Sequence, residues 1–417
     1  MKNQIALILL FGIYALPCTA HSTNVPKDTM VESFYDRNNQ QLYWFTSNKT
    51  MKKANEWLTL IELENPYASV VQKLQFKRIR LALSQKYLFV RSNNFKIDKQ
   101  ITGLVLHFLK DQQQGNVQTD YDEISIHHDS VYVIQLLKSN NEEPVSKIVS
   151  SFECKDLGYI FLKNYLADSI SINDTLKYKA IKLAMNYRLY LSINHLSEYF
   201  VVNILSATAE YYKNDMLVVG MRVVVGKKAN QTPILASYIT SITTFPYWNV
   251  PHSIAVKEIL PKVQKDGKYL EQKGFDVIDA KGDEVDESDL NWTKYTEETF
   301  PYFFRQSTGG DNALGVLKFN INNPYSIFLH ATSNQAVFTK TNRFLSHGCI
   351  RLEKPFELAN ALLNGNLDVE SLKKNKKDTE PTIIMLPHKI PTFIIYMPVQ
   401  FADNRLTFLP DIYNLIK

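Results

Sequence analysis

The rhythm of apolar and polar positions changes near Glu198. Before it, apolar residues recur every three or four positions, as at Ala54, Trp57, Leu58 and Ile61, the spacing of one helical face. Tyr43, Trp44 and Phe45 read as an aromatic anchor for these helices, core rather than a cofactor box. Thr102 to Gly115 reads as a helix capped by its threonine and stopped by its glycine, and Ser150 to Leu191 continues helical. After Glu198 the period shortens to that of strands. Tyr199 to Ile204, Ala207 to Tyr212 and Met216 to Val225 are predicted strands, with a turn at Lys213-Asn214-Asp215, and Tyr238 to Thr243 continues the meander. Ile254 to Val263 reverts to helix, and the acidic run Asp283 to Asp289 reads as a solvated loop. Strands resume at Gly315 to Asn320 and Tyr325 to His330. Pro355 and Gly365 then bracket a helix over Phe356 to Asn364. Thr382 to Leu386, Thr392 to Met397 and Leu406 to Leu409 complete the sheet, with a hairpin turn at Asp403-Asn404. The pattern predicts an α+β chain: a helical region over 21–195, then a mostly antiparallel β region over 196–417.

Composition adds bounds. A chain of 417 residues can hold two domains with sizeable cores, and a net charge of +5 argues for no nucleic-acid partner. Lys2 precedes the apolar run Ile5 to Leu16, and Cys18-Thr19-Ala20 offers a small residue for cleavage. Residues 1–20 are therefore expected to be a signal peptide, too short for a stable transmembrane anchor, with export to the periplasm. Pro17 fits poorly with lipid attachment at Cys18. Cys154 and Cys349, 195 residues apart, are expected to stay unpaired. His107, His127 and His128 lack metal-ligand spacing, and no metal or cofactor is expected.

Candidate chemistry gathers at Ser346-His347-Gly348-Cys349-Ile350-Arg351, whose Cys349 lies nineteen residues after His330. A thiol of ordinary pKa, about 8.5, needs help to attack near neutral pH. An imidazole can take its proton, a cation can favour the charged sulfur, and glycine lets backbone N–H groups reach a developing oxyanion. His330 ends the apolar run Tyr325 to Leu329, read as a buried strand delivering the histidine to an edge. A metal site of His330, His347 and Cys349 is disfavoured, because Arg351 would repel a cation.

The histidine, fifteen residues, then Ser-His-Gly-Cys-Ile-Arg resembles the signature of the L,D-transpeptidase (YkuD-type) catalytic domain. Trp248-Asn249-Val250-Pro251, Glu258-Ile259-Leu260-Pro261-Lys262, Arg305-Gln306 and Asn312-Ala313-Leu314-Gly315 resemble its YcbB-like branch. The resemblance implies a YkuD-type β-sandwich with a helix behind the nucleophile loop and a capping insertion at about 250–304, behind a helical scaffold. A peptidoglycan-binding module found in larger relatives is not recognisable here; the chain has 14 glycines, whereas that module is glycine-rich. It further implies that Cys349 attacks the diamino acid–D-Ala bond of a tetrapeptide stem and passes the acyl group to another stem, with a wall-attached lipoprotein as another partner. His330 would be the base, oriented by a backbone carbonyl such as that of Ala331. His347 and Gly348 would shape an oxyanion hole with the Cys349 N–H, and Arg351 would support the loop or a substrate carboxylate. Ser346, Trp248, Asn249, Asn312 and Phe328 are the expected substrate-side residues, Trp248 as a cleft wall. The chain departs from the pattern at Ala331 and Ser333, where relatives often have Asp and Pro, and at Phe328, often Tyr. An L,D-carboxypeptidase would use the same thioester, and a wall-binding protein with a vestigial site would lack the nucleophile or base, both present here.

Overall fold

The structure, a computed structural model, describes residues 28–416 apart from 67, 85–90, 125–128, 140–141, 168–173, 195–196, 375–378 and 403–404. The expected signal peptide, His127, His128 and the Asp403-Asn404 turn lie outside the described residues.

Among the described residues, eight helices come first: α1 Thr29–Arg37, α2 Asn48–Leu63, α3 Val70–Ser84, α4 Arg91–Gln114, α5 Asp129–Ser139, α6 Val145–Ser150, α7 Leu157–Ala167 and α8 Thr175–Ile193. One apolar core joins α1 to α6, with Phe34, Trp44, Trp57 and Leu58 among its fully buried side chains. Its organising polar group is Asp98, buried on α4. The carboxylate accepts the N–H groups of Tyr43 (2.9 Å), Trp44 (2.8 Å) and Phe45 (3.2 Å) and the hydroxyl of Tyr35. The aromatic anchor is thus fixed through its backbone. Thr102 is not a cap. It lies buried in the middle of α4, its hydroxyl donating to the Asp98 carbonyl and accepting from Trp44 Nε1 at 2.9 Å, because the helix already begins at Arg91. Gly115 does end α4, at φ +70°.

The strands are β1 Tyr121–Asp122, β2 Glu198–Asn203, β3 Thr208–Lys213, β4 Met216–Gly226, β5 Leu235–Thr244, β6 Trp248–Asn249, β7 Phe275–Ile278, β8 Glu284–Val285, β9 Phe303–Gln306, β10 Leu317–Ile321, β11 Leu329–His330, β12 Phe344–Ser346, β13 Ile350–Leu352, β14 Thr382–Ile395, β15 Val399–Ala402 and β16 Arg405–Phe408. The main sheet runs β5-β10-β11-β13-β4-β3-β2-β14, and β14 pairs back onto β5, so it closes on itself around one core. Most pairings are antiparallel; β11–β13 and β14–β2 are parallel. The two short strands predicted at Thr382 and Thr392 are one strand, β14, with an irregularity between Met385 and Ile390.

Helix α8 lays Tyr187 and Tyr190 on this core, Tyr190 edge-on to Phe393 and hydrogen-bonded to Asp122. Behind the loop after β12, α9 (Pro355–Leu362) buries Leu358, Ala359 and Leu362 in the same core. Between β5 and β10 an insertion forms its own four-stranded sheet, β6-β9-β7-β8. Its separate core includes Val256, Leu260, Phe275 and Phe304. Its helical run is His252–Ile254, a π-helical turn Ala255–Ile259, and Leu260–Lys265. Pro261 has no N–H to give the carbonyl four residues back, and the Leu260 N–H bonds Ala255 five residues back instead.

Candidate active site

The sheet brings the chemistry together by register. Lys318 on β10 lies opposite His330 on β11, and His330 lies opposite Arg351 on β13. One step along, Ile350 N–H donates to Phe328 carbonyl at 3.1 Å, which places Phe328 beside Cys349. Side chains two apart share a face of a strand. Lys318, Phe328, His330, Cys349 and Arg351 therefore share one face of the sheet.

His330 is not at an edge. The expected strand from Tyr325 is only Leu329–His330, lying between β10 and β13, and the histidine is buried. The run before it is a loop because Pro324 cannot donate and Ser326 has φ +55°. Asn323 closes that loop, donating to the Ile321 and Ile327 carbonyls and accepting from the Tyr325 and Ile327 N–H groups. His330 Nδ1 sits 2.6 Å from the Ala331 carbonyl, so the neutral ring keeps its proton on Nδ1 and its lone pair on Nε2. Gly315, at φ +62°, makes this packing possible; a Cβ there would lie 2.7 Å from Ala331 Cβ. Burial, reinforced by Arg351, pulls the imidazole down to about 3, against the Ala331 and Leu314 carbonyls.

Cys349 follows a tightly held loop. Ser346 Oγ donates to the Cys349 carbonyl (2.6 Å) and accepts the Gly348 N–H (3.2 Å). Thr232 Oγ donates to the Gly348 carbonyl (2.7 Å) and accepts the Gly226 N–H (2.9 Å), while Tyr413 Oη donates to the Gly226 carbonyl. Gly348 stands at φ +118°, with Ile327 Cδ1 3.2 Å from where a Cβ would go. The Gly348 N–H is thus committed within the loop. The His347 and Cys349 N–H groups carry no hydrogen bond among the described residues, and they are the donors open to an oxyanion. Burial pushes the Cys349 thiol up, while the Phe328 backbone, Lys318 and Arg351 pull it down. Sγ donates to the Ser326 carbonyl at 3.8 Å and makes no hydrogen bond to His330. The resting pair is a neutral thiol and a neutral imidazole, held apart as is common before substrate arrives.

Several expected positions serve other ends. Ser346 and Asn312 are buried and hold loops rather than line a surface. Asn312 donates to the Pro246, Gln306 and Ser307 carbonyls and accepts the Leu314 N–H. Trp248 is half-buried in the insertion core against Phe275, and Asn249 is exposed on β6. His347 points away from the sulfur: its Nε2 lies 2.6 Å from Glu258 on the π-helical turn and 3.4 Å from Lys227 Nζ. This pair ties the insertion to the nucleophile loop. Arg351 is half-buried, its Nε buried and without a partner.

Sequence reading passed over two residues. Glu258 had a signal in the Glu-Ile-Leu-Pro-Lys run, whose proline sets the π turn. Lys318 had none; only strand register places it there. Cys154 and Cys349 are both free, Cys154 bonding Ser192 Oγ at 3.4 Å. His107 pairs with Asp28. Among the described residues, no group of three or more His, Cys, Asp or Glu could hold a metal, and no helix is long and apolar enough to cross a membrane.

Residues 197–377 match the L,D-transpeptidase catalytic domain (YkuD), and residues 29–166 match the Scaffold domain. A Haemophilus influenzae protein named "Putative L,D-transpeptidase" is 34% identical over 237 residues, covering 56% of this chain and 47% of that protein. The chain thus spans about half the length of this curated relative. Two solved structures, the Ldtfm-avibactam carbamoyl enzyme and the Mycobacterium smegmatis L,D-transpeptidase, each align with 48% of this chain. The alignments cover 50% and 58% of those chains at 14% and 12% identity; both TM-scores are 0.24, too low to bear on fold or site. With a Scaffold domain over residues 29–166 ahead of an L,D-transpeptidase (YkuD) catalytic domain over 197–377, the chain has the YcbB-like architecture.

Proposed function

We propose that this chain is a cysteine-dependent L,D-transpeptidase that cross-links peptidoglycan stem peptides, working in the periplasm after export by residues 1–20. The observation that carries the reading is the shared face: His330 beside Arg351 on adjacent parallel strands, with Cys349 beside Phe328 in the residues that lead into those strands. As Sγ attacks the carbonyl of the diamino acid–D-Ala bond, the thiol proton passes to His330 Nε2. The Cys349 and His347 N–H groups take the oxyanion. Collapse to the thioester expels D-Ala, whose amine leaves with the proton from His330. An amine of a second stem then attacks the thioester, gives its proton to His330, and returns Cys349. Arg351, half-buried with a buried, unpartnered Nε, suits a carboxylate of the stem.

Transfer is favoured over hydrolysis by the Glu258–His347 tie, which holds the insertion against the nucleophile loop and limits water at the thioester. The test is acylation by a carbapenem with peptide mapping of the intact-mass adduct. One adduct on Cys349, lost in His330→Ala and weakened in His347→Ala, is expected. An adduct on Cys154, or normal acylation of His330→Ala, would overturn the assignment.

A further inference from the structure

Lys318 lies on the reactive face yet belongs to no part of the mechanism above. Its Nζ sits 4.4 Å from the centroid of the Phe328 ring, the residue beside Cys349. The side chain therefore reaches the sulfur's row as well as the row of its register partner His330. No carboxylate lies within ion-pair distance of it among the described residues. It is half-buried, burial disfavours its charge, and the neighbour that favours that charge is Cys349. The aromatic face supplies the cation's resting contact. Phe328 has no hydroxyl to compete for the ammonium.

We propose that Lys318 is an electrostatic positioning residue for the nucleophile, its ammonium favouring the Cys349 thiolate over the thiol. This rests on Cys349 being the nucleophile. A half-buried cation without a carboxylate partner is costly unless an anion forms beside it, and the thiolate is the anion this face produces. The Cys–His pair has no carboxylate behind the imidazole, only a carbonyl. Stabilising the sulfur's charge from the side is what the arrangement offers in its place. The other charged or titratable groups around the sulfur are His330 on β11, Arg351 on β13 and, on the outer side of the loop, His347 with Glu258 and Lys227.

The experiment follows alkylation of the full chain by iodoacetamide, a neutral reagent needing no substrate recognition. Rates at Cys349 and at Cys154 are separated by peptide mapping from pH 5 to pH 10. Lys318→Met should raise the midpoint for Cys349 by about one pH unit, Lys318→Arg should leave it near wild type, and Cys154 should not move. The proposal is overturned if Lys318→Met leaves the Cys349 midpoint in place, if Lys318→Arg shifts it equally, or if Cys154 shifts too. A loss confined to the anionic reagent iodoacetate would also overturn it, making Lys318 a carboxylate receptor. If Lys318→Met does not fold, Lys318→Gln carries the same comparison. Failure of the transpeptidase reading would look different: no carbapenem adduct on the wild-type chain, with the alkylation midpoint still responding to Lys318.

Discussion

Replacing Thr232 by valine tests whether the nucleophile loop is held as described. The hydroxyl is buried and bridges two backbone groups, accepting from Gly226 N–H and donating to the Gly348 carbonyl. Valine keeps the shape and removes both bonds. Each buried backbone group left without a partner costs about 1–3 kcal/mol. Two such groups, partly relieved by loop movement, give about 2–4 kcal/mol for Thr232→Val. For a region of this size, 1 kcal/mol moves Tm by about 2–4 °C, so a fall of roughly 4–16 °C is expected. The Gly348 carbonyl would be released at the same time, and with it the φ +118° geometry that presents the Cys349 N–H. Carbapenem acylation should therefore slow along with the stability loss, and Thr232→Ser should restore both. Thermal melts and stopped-flow acylation read the two effects. A Thr232→Val protein melting within 1 °C of wild type and acylating at the same rate would refute the reasoning.

Three further outcomes are expected. Asp98→Ala should destabilise the helical region by about 3–5 kcal/mol in urea denaturation, since four donors lose a buried carboxylate; a loss under 1 kcal/mol would contradict the role given to it. Glu258→Gln should leave acylation by a small reagent intact but raise thioester hydrolysis relative to transfer, read as tripeptide against cross-linked product, and an unchanged ratio would remove the tie from the account. His330, pulled from its ordinary 6.5 to about 3 in the folded chain, binds fewer protons there than when unfolded. Stability present above pH 6.5 should therefore fall as pH drops through 6.5 toward 3, by up to about 1.4 kcal/mol per unit. Urea midpoints at pH 7.5 and pH 5 should differ more in wild type than in His330→Gln; equal differences would speak against a buried neutral imidazole.

Much of this was legible in the chain, and the failures have physical reasons. Helix and strand regions follow from period, because each element buries one face. The strand written for Tyr325 to His330 failed because Asn323 and a left-handed Ser326 turn an apolar run into a loop. Thr102 looked like a cap since hydroxyls favour helix starts, but a buried hydroxyl in mid-helix has the same letter. The Cys349 motif was readable as letters because its chemistry is local. Lys318 was not, because its place depends on which strand pairs with which. His347 was assigned to the oxyanion by its neighbourhood, a role its open N–H still allows; what no local pattern showed is its ring pairing with Glu258, a contact across 89 residues.

The most direct test of the central claim is to incubate the purified chain with disaccharide-tetrapeptide and resolve the products by mass, with Cys349→Ala alongside. The account predicts dimers lacking one D-Ala and bonded between two diamino acids, formed by wild type and absent with Cys349→Ala. Tripeptide as the sole product at every acceptor concentration would contradict it and make the protein an L,D-carboxypeptidase.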